Sequence, residues 1–288
     1  MDDFRRNIVK VGAVGTGAAL LTGCETVAKG ILMAGGLSKE KADQVVDGFT
    51  PEQEYYIGRT VSAGIFQKYK PYNNPEKLSY LYKVGMTLAF SSDAPVTYGG
   101  YHFAILDSDE INAFAAPGGF IFVTLGMLRC CPHEDALAAV LAHEIAHVQL
   151  KHGLESIKDN RVAEAIAMLA VKAASEASGD DHSKLIKNFE ESITDISTTM
   201  VNRGYSRTYE READTLALTI MEKAGFSRKG MADMLEMMSK NLKPGGTDFF
   251  KTHPSPQQRL NLVNTSIQNA PVIPAFRKQR LQQNMGRV

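Results

Sequence analysis

Residues 143–147 read His-Glu-Ile-Ala-His, so that His143, Glu144 and His147 combine two imidazoles with one carboxylate. Side chains four residues apart share one face of a helix, and two such histidines can ligate one zinc ion at about 2.0–2.1 Å. Glu144 then lies close enough to accept a proton from a water molecule. Residues 136–150 are apolar on almost every side, which predicts a buried helix. Because buried imidazoles and carboxylates need partners, a metal ion is the interpretation that suits all three side chains.

A hydrolytic zinc site needs a third protein ligand and one open position. His152 lies five residues after His147, a spacing that disfavours a third histidine ligand. Glu210 is the predicted third ligand of one zinc ion per subunit. Asp214 shares its helix face and is predicted to accept a hydrogen bond from a ligand histidine, which fixes that ring's orientation. Glu212 points to another face, and a solvated acidic helix is the alternative interpretation.

Several helices and one small sheet must position these residues. Residues 50–53, Thr-Pro-Glu-Gln, form a strong helix start. Gly153 is predicted to end the zinc helix. The fold class is predicted to be α+β, mostly helical, with a small antiparallel or mixed sheet packed beside the zinc helix. The predicted helices cover about 51–70, 75–90, 124–131, 132–152, 154–202 with one break, 208–224, 228–241 and a segment from 256, and the predicted strands are 101–106, 111–116 and 120–123.

The second predicted strand is a candidate substrate-binding strand. It contains Asn112, Ala113, Phe114 and Ala115, and three of the six residues 111–116 are alanine. An extended peptide can add to such a strand through main-chain hydrogen bonds, which give affinity with little sequence selectivity.

The N-terminus is predicted to be a targeting segment. Residues 1–23 contain a basic start and an apolar run of about half the length that a membrane-spanning helix needs, which is typical of a signal peptide. Cys24 follows Leu-Thr-Gly and is predicted to be acylated, so that two or more acyl chains anchor the protein. Residues 24–49 are the predicted tether. An unprocessed apolar segment is the alternative, and both general and twin-arginine export remain open.

Composition and charge narrow the class of protein. The 288 residues carry 32 basic and 32 acidic side chains, with 44% hydrophobic residues, as in an ordinary globular protein. The balanced charge argues against a nucleic-acid-binding protein. A single domain is predicted over residues 50–270. Residues 271–288 are predicted to be a basic tail, either solvated or lying against anionic lipid.

The motif His-Glu-x-x-His followed by Glu-x-x-x-Asp resembles the gluzincin family of zinc metalloproteases that contains the CaaX prenyl-protein proteases and HtpX. The nearest likeness is to its bacterial envelope lipoproteins. Residues 112–119, the apolar run 137–142, Arg207 and residues 252–254 fit the same resemblance, which covers roughly residues 50–265. The resemblance implies a zincin-like metalloprotease domain and zinc-dependent endopeptidase activity.

The resemblance also places His253 near the metal, as a catalytic residue beside Glu144. It would stabilise the tetrahedral intermediate or occupy the open metal position, and a surface-loop histidine is the alternative. Tyr205 and Arg207 are weaker candidates. The remaining histidines and the adjacent cysteines are interpreted as structural, namely His102, His133, His152, His182, Cys130 and Cys131.

The implied substrates are unfolded or misfolded proteins of the bacterial cell envelope. The implied location is lipid-anchored and periplasmic, at the outer membrane rather than the inner, with the outer-membrane assembly machinery as a candidate partner and no nucleic acid. One alternative is a metal-containing lipoprotein that acts as a chaperone or sorting factor without turnover, and another is a zinc hydrolase of small peptides. The intact Glu144 favours an enzyme, because a purely structural metal site needs no base.

Overall fold

The structure is a computed structural model, and it describes residues 49–158, 204–242 and 253–286. The predicted signal peptide, Cys24, the tether before residue 49 and the helical prediction for residues 159–202 lie outside these residues. Those interpretations, and the domain boundaries that depend on them, stay predictions.

The described residues form a mostly helical α+β domain with three strands and nine α-helices. This architecture confirms the predicted fold class. Within the described ranges, none of the helices has both the length and the apolarity needed to cross a bilayer. In chain order the elements are α1 (Pro51–Lys68), α2 (Pro75–Ser91), β1 (His102–Leu106), β2 (Ala113–Ala116), a 3₁₀ turn (Pro117–Gly119), β3 (Phe120–Thr124), α3 (Leu125–Arg129), α4 (Glu134–Gln149), α5 (His152–Lys158), α6 (Arg207–Lys223), α7 (Lys229–Asn241), α8 (Pro256–Ile267) and α9 (Ala275–Met285).

Side-chain caps begin the first two helices where the sequence predicts them. The Thr50 hydroxyl accepts a hydrogen bond from the Gln53 backbone N–H, and the Gln53 side chain accepts one from the Thr50 backbone N–H. This reciprocal pair is the predicted capping box. The Asn74 side chain accepts a hydrogen bond from the Lys77 backbone N–H at the start of α2. Both starts need only residues within three positions, so the sequence locates them well.

The three strands form a small mixed sheet in the order β1-β3-β2. β1 runs parallel to β3, with Phe103 opposite Ile121, whereas β2 runs antiparallel to β3, with Ala115 opposite Ile121. Among the described residues, the outer edge of β2 pairs with no further strand. The predicted substrate strand is therefore an edge strand of the described sheet.

α4 is the central helix of the core. Residues 134–148 are all buried, as the apolar sequence predicts. The helix packs against α6, α7 and α2, and it also contacts β2. The His133 side chain caps its start by accepting a hydrogen bond from the Ala136 backbone N–H at 3.2 Å. A motif on this helix is consequently held by packing on several sides.

The prediction that Gly153 ends the zinc helix is wrong. α4 ends at Gln149, and Lys151 adopts the left-handed conformation, with φ +55°. α5 begins at His152, so Gly153 lies inside a helix. A Cβ on Gly153 would lie 3.0 Å from the Pro117 ring, which shows that this glycine serves close packing and not the turn.

The prediction of a solvated basic tail is wrong for residues 275–285, which form α9 and pack against the domain. The acidic residues at the start of α4 are buried, and a buried carboxylate needs a counter-charge. α9 supplies two such charges, in the ion pairs Arg277–Asp135 and Arg280–Glu134. It also contributes two buried apolar side chains, Leu281 and Met285.

Candidate metal centre

Two helices and one loop bring four metal-binding side chains together in the core. α4 carries His143 and His147, α6 carries Glu210, and His253 lies shortly before α8. One ligand atom from each residue lies within 4.8 Å of the others, and all four residues are buried. The structure thus brings together the three predicted metal ligands and the predicted catalytic histidine.

The spacing of three donor atoms fits a zinc ion. His143 Nε2 and His147 Nε2 lie 3.1 Å apart. The Glu210 carboxylate oxygens lie 3.5 Å from His143 Nε2 and 3.4 Å from His147 Nε2. Tetrahedral zinc with bonds of 2.0–2.1 Å separates its ligand atoms by about 3.3 Å. Two imidazole nitrogens and one carboxylate at these spacings fit zinc in both chemistry and geometry.

The protein environment prepares these ligands differently. Burial lowers the pKa of His147 to about 3, which keeps its imidazole neutral and able to ligate. Burial and the Arg259 charge also lower the pKa of His143, but its hydrogen bonds with Asp214 and Glu210 outweigh them and raise it to about 9. Burial raises the pKa of Glu210, yet the charge of His253 and hydrogen bonds from three histidines hold it well below its usual range.

Asp214 lies where the sequence predicts it, beside a ligand histidine. Its Oδ1 is 3.0 Å from His143 Nδ1, the ring nitrogen away from the proposed metal position. Arg259, on α8, donates two hydrogen bonds to the same carboxylate, Nε to Oδ2 at 3.0 Å and Nη2 to Oδ1 at 2.6 Å. Burial raises the pKa of Asp214, but Arg259 and His143 lower it to about 2. Sequence reasoning missed Arg259.

His152, which the sequence interprets as structural, lies beside the other predicted ligand histidine. Its Nδ1 is 2.9 Å from His147 Nδ1, and its Nε2 is 3.2 Å from Glu212 Oε2. The spacing argument therefore disfavours His152 as a ligand and gives no sign of its contact with His147. Glu212 faces His152 and does not join the metal-binding cluster.

Glu144 is buried beside the ligands and is 2% exposed. Within the described residues its Oε2 has no hydrogen-bond partner. Burial raises the pKa of Glu144, and the neighbouring charges of His143 and His253 lower it less than burial raises it. A raised pKa makes a carboxylate a better proton acceptor at neutral pH, which suits a general base.

His253 is buried, so the interpretation as a surface-loop histidine is wrong. Its Nδ1 lies 2.8 Å from Glu210 Oε2. Its ring centroid is 5.5 Å from that of His143. This position is compatible with either predicted role, a contact to the reacting carbonyl or a fourth metal ligand.

Tyr205 connects the metal-binding cluster to the edge of the sheet. Its ring stacks on His147, with centroids 4.2 Å apart and planes at 20°. Its hydroxyl donates a hydrogen bond of 3.1 Å to the Ala115 carbonyl of β2. Arg207 is exposed at the start of α6. Tyr205 is therefore the more relevant of these two candidates.

The described residues enclose the site closely. A cavity lined by Ala113, Val140, Glu144 and His253 has a volume of about 10 Å³, which is room for about one water molecule. A second cavity of the same size lies beside His147. A peptide requires more space than either cavity offers.

The helical fold, the buried zinc-ligand spacing and the adjacent carboxylate define a zinc metallopeptidase domain. Residues 75–266 match the model of Peptidase family M48, and the chain belongs to this family. This match confirms the family predicted from the motifs, and the buried cluster could hold the zinc ion that metallopeptidases of this family use.

Three relatives illustrate the likeness. The chain is 26% identical over 210 residues to the beta-barrel assembly-enhancing protease of Escherichia coli strain K12, covering 70% of this chain and 41% of that protein. It is 34% identical over 167 residues to the mitochondrial metalloendopeptidase OMA1 of Schizosaccharomyces pombe, covering 56% and 45%. It is 26% identical over 260 residues to the metalloprotease YcaL of Escherichia coli strain K12, covering 88% and 95%. The chain thus spans under half of the first two proteins and nearly all of the third.

Proposed function

We propose that this protein is a zinc-dependent endopeptidase of the bacterial cell envelope that hydrolyses peptide bonds of misfolded or unfolded envelope proteins. The observation that carries the proposal is the convergence of His143, His147 and Glu210 on one point, with Glu144 buried beside them. The proposed metal ligands are these two histidines and Glu210. Asp214 orients His143.

The chain's own side chains have separate roles in the proposed reaction. When bound, zinc supplies a Lewis acid that polarises the scissile carbonyl and favours loss of a proton from water. Glu144 accepts that proton and later delivers it to the leaving amine. His253 lies near enough to donate a hydrogen bond to the oxygen that gains negative charge, and occupation of the open ligand position is its alternative role.

The substrate is proposed to bind along β2. The Tyr205 hydroxyl, whose ring stacks on His147, donates a hydrogen bond to the Ala115 carbonyl of this strand. Backbone pairing along Ala113, Phe114 and Ala115 would select an extended chain and not a particular sequence. Asn112, the fourth predicted residue, instead pairs its backbone N–H and carbonyl with Thr124. Unfolded proteins provide extended chains, which supports the proposed substrate class.

The proposed location rests on the sequence and on the relatives. An acylated Cys24 would hold the domain at a membrane facing the periplasm, and we place it at the outer membrane. The match over 88% of this chain to YcaL is with a bacterial metalloprotease of similar length. The name of the beta-barrel assembly-enhancing protease makes the outer-membrane assembly machinery a candidate partner.

The central test compares wild type with Glu144→Gln for bound zinc and for casein cleavage. The variant keeps the size of the side chain but removes the base, so we expect full zinc occupancy and a loss of cleavage of about 100-fold or more. A variant that keeps zinc and cleaves at the wild-type rate would refute the mechanism. A wild-type protein that does not cleave casein would favour the chaperone or sorting alternative.

The third ligand is tested by Glu210→Gln, with Glu222→Gln on an exposed part of α6 as the matched control. We expect zinc to be lost from the first variant and retained in the second. Full zinc occupancy in Glu210→Gln would assign the third ligand to another residue.

The proposed anchor is tested by labelled palmitate. We expect incorporation in wild type and none in Cys24→Ala. Incorporation that survives this substitution would refute the assignment of Cys24 as the lipidated residue.

A further inference from the structure

His152 lies next to the metal-binding cluster without belonging to it. It is 2% exposed. Its Nδ1 lies 2.9 Å from His147 Nδ1, and its Nε2 lies 3.2 Å from the carboxylate of Glu212. Glu212 is half exposed, with 49% of its side chain accessible. The three side chains therefore form a line from the protein surface to a proposed metal ligand.

The tautomer that metal binding requires of His147 determines which atom donates in each of these hydrogen bonds. His147 Nε2 faces His143 and Glu210, so ligation uses the lone pair of this nitrogen. A neutral imidazole that ligates through Nε2 carries its proton on Nδ1. That N–H must donate to His152 Nδ1, which therefore accepts. The proton of His152 is then on Nε2, where it donates to Glu212.

Aromatic contacts hold both rings in this arrangement. The His152 ring stacks on Tyr209, with centroids 4.4 Å apart and planes at 8°. The His147 ring stacks on Tyr205 at 4.2 Å. Rotation of either imidazole about its Cβ–Cγ bond, out of its present plane, would break its stacking contact. The hydrogen bond between His147 and His152 thus has a fixed geometry.

We propose that His152 and Glu212 are positioning residues that set the tautomer and the orientation of His147 for metal binding. This inference rests on the proposed function, because it takes His147 to be a zinc ligand. It gives the two ligand histidines separate orienting acceptors, Asp214 for His143 and His152 for His147. Groups that accept from a ligand histidine in this way stabilise the bound metal.

The test compares two substitutions of His152 that differ in one property. His152→Phe keeps the ring on Tyr209 but removes the acceptor, whereas His152→Asn keeps an acceptor oxygen near the Nδ1 position but loses the ring. His102→Phe is the matched control, because His102 stacks on Phe120 away from the metal-binding cluster. The measurements are zinc affinity by competition with a chelator, the visible absorption of the cobalt-substituted protein, and the unfolding temperature without metal.

We expect His152→Phe to weaken zinc binding by about 10- to 100-fold and to change the cobalt spectrum. His152→Asn should recover most of this loss, and His102→Phe should bind zinc like wild type. Glu212→Leu should weaken zinc binding by a smaller factor than His152→Phe, because it acts through one more hydrogen bond.

Wild-type zinc affinity in His152→Phe would overturn the proposal. The proposal would also be overturned if His152→Phe and His152→Asn lost zinc affinity equally and in proportion to their lower unfolding temperatures. That result would show that His152 acts only through packing. A wild-type protein that binds zinc but cleaves no protein would refute the proposed function and leave this assignment intact. A wild-type protein that binds no zinc would refute both.

Discussion

Replacing Arg259 by methionine tests how the buried charges of the site are held. The guanidinium is 3% exposed and forms a bidentate pair with Asp214. Methionine keeps an apolar chain of similar length but provides no donor. Arg259→Met therefore leaves the Asp214 carboxylate buried, with the His143 ring still 3.0 Å away.

The magnitude follows from the pKa of Asp214, which the folded protein lowers from 3.8 to about 2. A difference of this size corresponds to about 2.5 kcal/mol of stabilisation of the carboxylate. Removal of one member of a buried ion pair costs about 3–5 kcal/mol, because the other charge stays buried. We therefore expect Arg259→Met to lower the free energy of unfolding by about 3 kcal/mol, and the unfolding temperature by about 6–12 °C.

The sign of the pH dependence follows from the same pKa. A lowered carboxyl pKa gives stability that is complete above the unfolded value of 3.8 and is lost as the pH falls through about 2. In Arg259→Met the burial of Asp214 is no longer offset by the guanidinium, so its pKa rises. Because the unfolded state is common to both proteins, the difference in stability should be largest above the raised pKa of Asp214 in the variant and should shrink as the pH falls towards about 2.

The assay is thermal and urea unfolding of the metal-free protein, in a cycle with Asp214→Asn and the double variant. The double variant should be more stable than the sum of the two single effects predicts, because it leaves no unpaired buried charge. Additive effects, or a loss below about 1 kcal/mol in Arg259→Met at pH 7, would refute this account of the site.

Three further substitutions test the packing around the site by thermal unfolding. Gly58→Ala should cost about 3 kcal/mol or more, since a Cβ would lie 1.8 Å from the Pro117 carbonyl oxygen; unchanged stability would refute this contact. Lys151→Gly should stabilise by about 1 kcal/mol, because it relieves a φ of +55°, and a destabilised variant would contradict that reason. Arg280→Ala should cost about 1–2 kcal/mol, because it removes a cation from the buried Glu134, and wild-type stability would show that α9 is not held by this pair.

The sequence locates elements well where the determining residues are neighbours. The predicted starts at residues 51 and 75 match α1 and α2, since their caps lie within three residues. α9 has no such signal. Its cap position is Pro274, which makes no side-chain hydrogen bond, and its buried residues are two, Leu281 and Met285. Its docking depends on acidic residues more than 140 positions away, which no local pattern shows.

In the candidate site, too, the sequence predicts the residues that share one helix but not the contacts that depend on packing between helices. His143, Glu144 and His147 share one helix, so their spacing alone places them together, and Glu210 with Asp214 repeats that spacing on α6. The contact of Arg259 with Asp214 joins residues 45 positions apart and depends on how α8 packs.

His152 approaches His147 because α4 ends at Gln149 and Lys151 adopts a left-handed conformation before α5 begins. A five-residue spacing on a continuous helix would not place the two rings together. The sequence predicts a continuous helix through this point and therefore cannot predict the contact. The wrong helix end and the missed role of His152 thus have one cause.

The two orienting contacts also explain how the site can hold carboxylates close to its ligands without accumulating negative charge. Asp214 contacts His143 directly, and the Arg259 charge at 2.6 Å balances it. Glu212 acts on His147 through His152, so its own charge stays at the half-exposed surface, where solvent screens it. Among the proposed ligands, Glu210 is then the one that contributes an unbalanced negative charge, because histidines bind a metal as neutral imidazoles. A divalent ion held by this set retains a net charge of about +1, the condition under which it polarises a carbonyl strongly. Arg259 and His152 therefore both limit the negative charge beside the proposed ligands. Arg259 balances the charge of Asp214, and His152 keeps the charge of Glu212 at a distance.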